Sequence, residues 1–265
     1  MAITQRQTMD TVRGSIELRV SAESHMGASR DGNGDAFLVL GSIFLVADGT
    51  GGYPADAHAA QMVVQTFAGR FAGVDLVTAD DVLDAIGSAN QAVLSLSGDS
   101  PGAAAAVAGL GLMSSESGED IYWLLFNVGN SRVYTWSDSG FGTFSQLTVD
   151  HSVAQEYVDN GLWTRLEAAH SPARKAITRV LGLDSRIDPD VWLLPISQSP
   201  AKTGFLLCSD GLTERLNDDE IARVLGYSQD RTDSPAERLI GAARALGAAD
   251  DVTAIVIECT REAAG

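Results

Sequence analysis

Residues 37–52 read FLVLGSIFLVADGTGG, and the fold turns on how this stretch divides. Two apolar runs, Ala36–Leu40 and Ile43–Ala47, flank Gly41-Ser42, the pattern of two strands joined by a tight turn. The second run stops at Asp48-Gly49, and beyond a glycine-rich turn a helix is predicted from about Ala55 to Phe71.

Working outward, short runs rich in Val, Ile, Leu and aromatics predict further strands. They lie at Ile16–Ser21, Ala103–Met113, Ile121–Val128, Arg132–Ser137, Val191–Pro195, Gly204–Cys208 and Thr253–Cys259. Helices are announced by their caps. In TADDVLDAIGSANQAVLSLS, Thr78 precedes Asp81 by three, and Val82, Ile86, Ala89, Val93 and Leu96 follow along one face. In SPAERLIGAARALG, Ser234 is the cap, Pro235 the first helical residue, Glu237 the box partner and Gly247 the stop. NDDEIARVLG repeats the logic with Asn217, Glu220 and Gly226. Blocks of strands alternating with paired helices predict an α+β chain with helices outside two stacked sheets, although periodicity alone leaves other α/β arrangements open. No linker, low-complexity tract or repeat interrupts the chain. One domain is therefore expected over residues 15–260, after a loose polar lead-in over residues 1–14.

The 265 residues carry 35 acidic and 18 basic side chains, a formal net charge of −17. Such a field repels nucleic acid and anionic membranes and favours cations or basic partners, although a solvated acidic surface accounts for most of it. The two cysteines, Cys208 and Cys259, sit in apolar strands and read as buried thiols of a reducing compartment. MAITQRQTMD has no apolar core of a signal peptide, and no eighteen apolar residues run together. A cytoplasmic protein without membrane association is expected.

Three segments share one form. FLVADGTGG and FLLCSDGL end apolar strands at Asp48-Gly49 and Asp210-Gly211, and GAADDVTAIVIE opens a third at Asp250-Asp251. A single Asp-Gly is an ordinary turn. Three together aim carboxylates at one sheet edge, and hard divalent ions take such clustered oxygens. Zinc would ask for His and Cys, but His25, His58, His151 and His170 show no ligand spacing. Two ions bridged by a carboxylate suit phosphoester hydrolysis, with an arginine as a bidentate phosphate fork.

In order, the chain reads GASRDGNGDAF (Gly27–Phe37), VADGTGG (Val46–Gly52), VGNSRVY (Val128–Tyr134), LTVDHS (Leu147–Ser152), SDGLTERL (Ser209–Leu216) and DDVTAIVIE (Asp250–Glu258). This set, spanning about residues 16–258, resembles the metal-dependent PPM family of serine/threonine protein phosphatases, the type 2C phosphatases, in its compact bacterial form. The resemblance implies a four-layer α-β-β-α sandwich, two antiparallel sheets flanked by helical pairs, with a di-metal centre at one edge. It makes Asp48 the bridging ligand, Gly49 a carbonyl donor, and Asp210 and Asp250 the remaining ligands. Arg30 matches the phosphate-binding arginine and Asp35 the carboxylate that orients metal-bound water. The implied cofactors are two divalent cations, Mn²⁺ or Mg²⁺, and the implied reaction is direct attack of metal-activated water on phosphoserine or phosphothreonine. Implied partners are phosphoproteins, including a Ser/Thr kinase or its targets, met by a monomeric enzyme. Residues 147–182 resemble the family's flap, where Arg174, Lys175 and Arg179 read as a solvated helix face or, alternatively, a cluster that meets an acidic phosphosubstrate, and His151 as a structural polar residue.

The match departs at four places. Asn130 stands where the family's Gly-Asp-Ser-Arg turn carries an aspartate of a third, weaker metal site, and an amide lacks the charge that makes such a site tight. Gly34 replaces a Glu or Gln often found before Asp35. Thr50 replaces a histidine of some members. Gly102-Ala103-Ala104, within PGAAAAV (Pro101–Val107), replaces Gly-Thr-Thr. Two readings follow: an active phosphatase with a weak or absent third ion, or a phosphatase-like regulatory or binding module with weak or no catalysis.

Overall fold

The structure is a computed structural model and describes residues 2–11, 14–50, 52, 54–96, 102–115, 117–137, 144–199, 201–226 and 233–263. Among the described residues, eleven strands form two antiparallel sheets. The six-stranded sheet has the order β1 (Ala2–Thr11), β2 (Gly14–His25), β11 (Val252–Ala263), β10 (Lys202–Cys208), β7 (Arg132–Ser137) and β8 (Ser145–Gln146). The five-stranded sheet runs β3 (Asp35–Leu40), β4 (Ile43–Thr50), β5 (Ala104–Ser114), β6 (Ile121–Val128) and β9 (Asp190–Pro195).

Strand alternation builds three apolar layers. From β4, Phe44 and Val46 enter the core between the sheets, with Leu110, Leu125, Phe205 and Ile257. Ile43, Leu45 and Ala47 of the same strand face α1 (Ala55–Phe71) and α2 (Ala79–Ser95). On the opposite side, Leu206 and Cys208 of β10 pack with Leu239 and Ile240 of α7 (Pro235–Ala245) and with Ile221 of α6 (Asp218–Gly226). Helices, sheet, sheet and helices make the four-layer sandwich. Because the central strands are buried on both faces, they read as continuous apolar runs rather than alternating ones. Phe126 stacks on Phe67 of α1 with centroids 5.4 Å apart, and its truncation to alanine would cost about 3–5 kcal/mol.

The polar lead-in expected over residues 1–14 is corrected: Ala2–Thr11 is a strand, paired with β2 from Ala2↔Glu23 to Thr11↔Gly14. As an edge strand it needs only backbone hydrogen bonds and a half-buried face, and Ile3 and Met9 supply the apolar contacts. The two-residue β8 was also missed. Pro101, at the head of the PGAAAAV segment, lies outside the described residues, while Ala104–Ser114 is β5. The flap contains α3 (Val153–Asp159), α4 (Arg165–His170) and one 3₁₀ turn at Pro172–Lys175. Thr164 and Glu167 close a reciprocal capping box on α4. Among the described residues, no helix is long and apolar enough to cross a membrane.

The register brings particular strand ends to one edge. Asp35 at the start of β3 lies opposite Asp48 near the end of β4. In the other sheet, the end of β10 meets the start of β11, with Cys208 opposite Ala254. Just beyond, the Ser209 N–H bonds the Thr253 carbonyl at 3.1 Å, and α5 (Asp210–Thr213) begins there.

Candidate active site

Four acidic residues converge where these strand ends meet. The Asp210 N–H points at Asp48 Oδ2 from 3.4 Å. Asp35 is buried, and its Oδ2 accepts the Thr253 hydroxyl at 2.7 Å. Asp250 Oδ1 accepts Arg30 Nε at 2.7 Å and also Arg30 Nη2. Asp251, next in sequence, ties down the arginine loop: its Oδ1 takes the Gly27 N–H at 2.8 Å and its Oδ2 the Gly34 N–H at 2.7 Å. Asn130 reaches the same cluster, donating Nδ2 to Asp210 Oδ2 at 2.9 Å.

Gly49 is held by packing as well as turn preference. A Cβ there would lie 2.1 Å from the Asp56 carbonyl oxygen, so the first turn of α1 is seated directly on the Asp48-Gly49 backbone.

Crowding shows in the acids' proton affinity. Burial, then the charges of Asp210, Asp35 and Asp250, push Asp48 well above the ordinary carboxylate range. Burial lifts Asp35 to about 7, with the Ser209 and Thr253 hydroxyls pulling down and Asp251 and Asp210 adding to the rise. Asp210 rises to about 6 through burial and the charges of Glu214 and Asp250, opposed by Asn130 and Lys175. Carboxylates that raise one another in this way are relieved by a bound cation. The donor set, all oxygen and all hard, fits Mg²⁺ or Mn²⁺. Asp210, Glu214 and Asp250 each place a carboxylate oxygen within 4.8 Å of the others.

Neighbouring polar groups are structural. Arg132, from the Asn-Ser-Arg turn, grips Asp150 with Nε at 2.8 Å and Nη2 at 2.6 Å, and its Nη1 bonds the Tyr134 hydroxyl at 2.8 Å. His151 accepts the Gly129 N–H on Nδ1 at 2.9 Å, and its Nε2 lies 3.2 Å from Asp190 Oδ2. The flap cations expected on a solvated helix face are ion-paired, and of the three Lys175 alone is solvent-exposed. Lys175 ion-pairs with Glu214, Arg174 Nη2 lies 3.9 Å from it, and Arg179 bonds Asp190 Oδ1 at 3.0 Å.

The crystal structure of a PPM Ser-Thr phosphatase, MsPP from Mycobacterium smegmatis, is 30% identical in sequence and superposes with a TM-score of 0.77. The match covers 94% of this chain and 99% of that one. The chain belongs to the PPM family. The serine/threonine protein phosphatase PstP of Mycobacterium tuberculosis is 30% identical over 250 residues, 93% of this PPM chain but 46% of PstP's length. The catalytic domain of PstP, in complex with two manganese ions, is 26% identical with a TM-score of 0.77, covering 92% of this chain and 99% of that one. No protein-family model matches the sequence.

The structure brings Arg30, Asp35, Asp48, Gly49, Asn130, Asp210 and Asp250 to one edge of this PPM fold. Three acids there went unread in the sequence. Glu214 carried a usable signal, since it follows Asp210 by four residues, one helical turn. Asp251 was hidden beside Asp250, since the Gly27 and Gly34 amides that it accepts lie over 200 residues away in sequence and leave no local pattern. Asp56 gave no signal beyond an acid in a first helical turn.

Proposed function

We propose that this chain is a metal-dependent protein phosphatase that hydrolyses phosphoserine and phosphothreonine monoesters by direct attack of water. The observation that carries the proposal is the convergence of Asp35, Asp48, Asp210 and Asp250 at one sandwich edge, with the Arg30 guanidinium bonded into the same cluster. Asp48, Asp210, Asp250 and the Gly49 carbonyl would hold divalent ions of the Mn²⁺ or Mg²⁺ type, which when bound would supply Lewis-acid chemistry for water and phosphate oxygens.

The protein's own groups do the rest. Arg30 offers a planar fork matched to two phosphate oxygens, and a third of its side-chain surface is open to an incoming ester. Asp35, anchored through Oδ2 by Thr253, is the acceptor for a proton of the attacking water. Burial and the pair of hydroxyl donors keep its geometry fixed between turnovers.

Substrates on this reading are phosphoproteins, a Ser/Thr kinase or its targets among them, and the working form is a cytoplasmic monomer. Buried, unbridged Cys208 and Cys259 support a reducing compartment. The binding-module alternative rests on Asn130 and Gly34 alone, whereas relatives matched over nearly the whole chain are phosphatases.

The deciding experiment is hydrolysis of a phosphoserine peptide with excess Mn²⁺, compared with EDTA-treated protein and an Asp48→Ala control. Hydrolysis that EDTA abolishes is expected. Turnover no higher than that of Asp48→Ala would end the proposal.

A further inference from the structure

Asp56 lies in the first turn of α1 and is 1% exposed. Its Oδ1 accepts the Ala57 N–H at 2.7 Å, and its Oδ2 lies 3.8 Å from Arg30 Nη1. The carboxylate also covers Gly34, where an added Cβ would come within 2.9 Å of Asp56 Cγ and Oδ2. Gly34 thus lacks a side chain where Asp56 supplies one from the opposite wall.

An acid in a first helical turn is ordinarily a surface partner for the helix dipole. That role does not explain why this one is sealed from water, since burying a carboxylate is costly unless a cation faces it. The cation it faces is Arg30. The guanidinium is shared between two acids: Nε and Nη2 turn to Asp250 Oδ1, and Nη1 turns to Asp56. Asp250 shares an acidic cluster with Asp210 and Glu214, whereas Asp56 is taken up by the Ala57 N–H and faces Arg30. A cation drawn to Asp250 competes with Arg30 for that carboxylate and leaves the Asp56 contact untouched.

We propose that Asp56 is a positioning residue that holds the Arg30 guanidinium in place for the substrate phosphate. The inference rests on the phosphatase reading above and adds a residue to it. With Arg30 so held, the entropy of fixing its long side chain is not charged to substrate binding.

The test is a mutant cycle of wild type, Asp56→Asn, Arg30→Ala and the double variant. KM and kcat are measured on a phosphoserine peptide with excess Mn²⁺, and inorganic phosphate binding by calorimetry. Asparagine retains an acceptor for the Ala57 N–H, so a helix-capping role alone would leave KM unmoved. The expected result is a KM and a phosphate Kd raised about tenfold in Asp56→Asn, with kcat within about twofold. In the Arg30→Ala background, the same change should leave KM within about twofold. Unchanged KM and phosphate Kd in Asp56→Asn, or the same fold-change in both backgrounds, would overturn the inference.

Should Asp56→Asn fail to fold, Asp56→Ser keeps an acceptor for the Ala57 N–H and removes the charge facing Arg30. A raised KM there supports the inference, and an unmoved one overturns it. If the wild type hydrolyses nothing, the phosphatase reading fails, and the calorimetric phosphate affinities still decide the role of Asp56.

Discussion

Asn130 donates an amide hydrogen to Asp210 Oδ2 at 2.9 Å, so the residue that departs from the family's aspartate is bonded into the acidic cluster. It is 4% exposed, and its bond is one of two influences that pull the raised Asp210 back toward ionisation. Asn130→Asp therefore replaces a donor with a second buried carboxylate. Without metal, the loss of a hydrogen bond to a charged group should cost about 2 kcal/mol. Thermal melting in EDTA should show the variant several degrees below wild type, on the order of 5 °C. With Mn²⁺ in excess, the added charge binds cation and the variant should recover more than wild type gains. Equal melting temperatures in EDTA would mean the amide bond contributes nothing. Higher turnover at lower Mn²⁺ would show that the asparagine attenuates the enzyme.

The two carboxylate oxygens of Asp251 receive the N–H groups of Gly27 and Gly34, the two ends of the Arg30 loop. Asp251→Ala leaves two buried donors without their acceptor, a loss of roughly 3–5 kcal/mol at ordinary values for charged hydrogen bonds. Because Arg30 rides on this loop, phosphate recognition should suffer along with stability. Calorimetric or optical melting should place the variant about 10 °C below wild type, and its KM should rise even where the protein remains folded. A melting temperature within about 2 °C of wild type would remove Asp251 from its supporting role.

The site acids that the sequence revealed were those standing at strand ends: Asp48 and Asp210 close apolar runs as Asp-Gly, and Asp250 precedes one. Their signal is local, because an apolar run bounded by aspartate is visible within about ten residues. Asp56 and Asp251 act through tertiary contacts, with Arg30 and with the Gly27 and Gly34 amides, that no local pattern encodes. The fold shows the same division. Central strands and capped helices were legible because burial demands apolar runs and helix ends demand caps. The edge strand Ala2–Thr11 was not, because its residues satisfy a backbone ladder while one face stays wet. The partners of the flap cations went unread for a related reason: Lys175 is solvated as the sequence suggests, but the acid it meets, Glu214, lies across the gap on another segment.

His151 is buried, and that burial, followed by the charge of Arg179, lowers its pKa from the ordinary 6.5. Its neutral form is fixed by the Gly129 N–H donated to Nδ1. A group whose folded pKa lies below its unfolded value binds more protons when unfolded, so stability rises with pH between the two values. The contribution is complete above about pH 6.5 and is lost as pH falls through the folded pKa. His151→Asn keeps an acceptor for Gly129 and cannot titrate. Between about pH 7 and 5.5 wild type should therefore lose more melting temperature than the variant. Parallel curves would show that His151 does not contribute to the acid limb.

Lys175, on the flap, ion-pairs with Glu214, whose side chain is 8% exposed and whose carboxylate lies beside Asp210 and Asp250. The lysine side chain is 55% exposed, so the pair itself is worth only about 0–1 kcal/mol. Its larger effect is on the acids left behind. Lys175→Ala leaves Glu214 facing two carboxylates without an ammonium and should lower the melting temperature in EDTA. Glu214→Gln removes one repelling charge and should raise it. Each shift should be about 2–4 °C, the response to roughly 1 kcal/mol in a chain of this size. Both changes weaken the tie between flap and α5, leaving the longer Arg174 contacts, so both should speed chymotrypsin cleavage after Tyr157 and Trp163. Excess Mn²⁺ should erase the melting difference by neutralising the cluster, but leave the cleavage difference, because the Lys175–Glu214 contact is not restored. Shifts of the same sign in EDTA would show that the pair acts as an isolated surface contact rather than as the cluster's internal counter-ion.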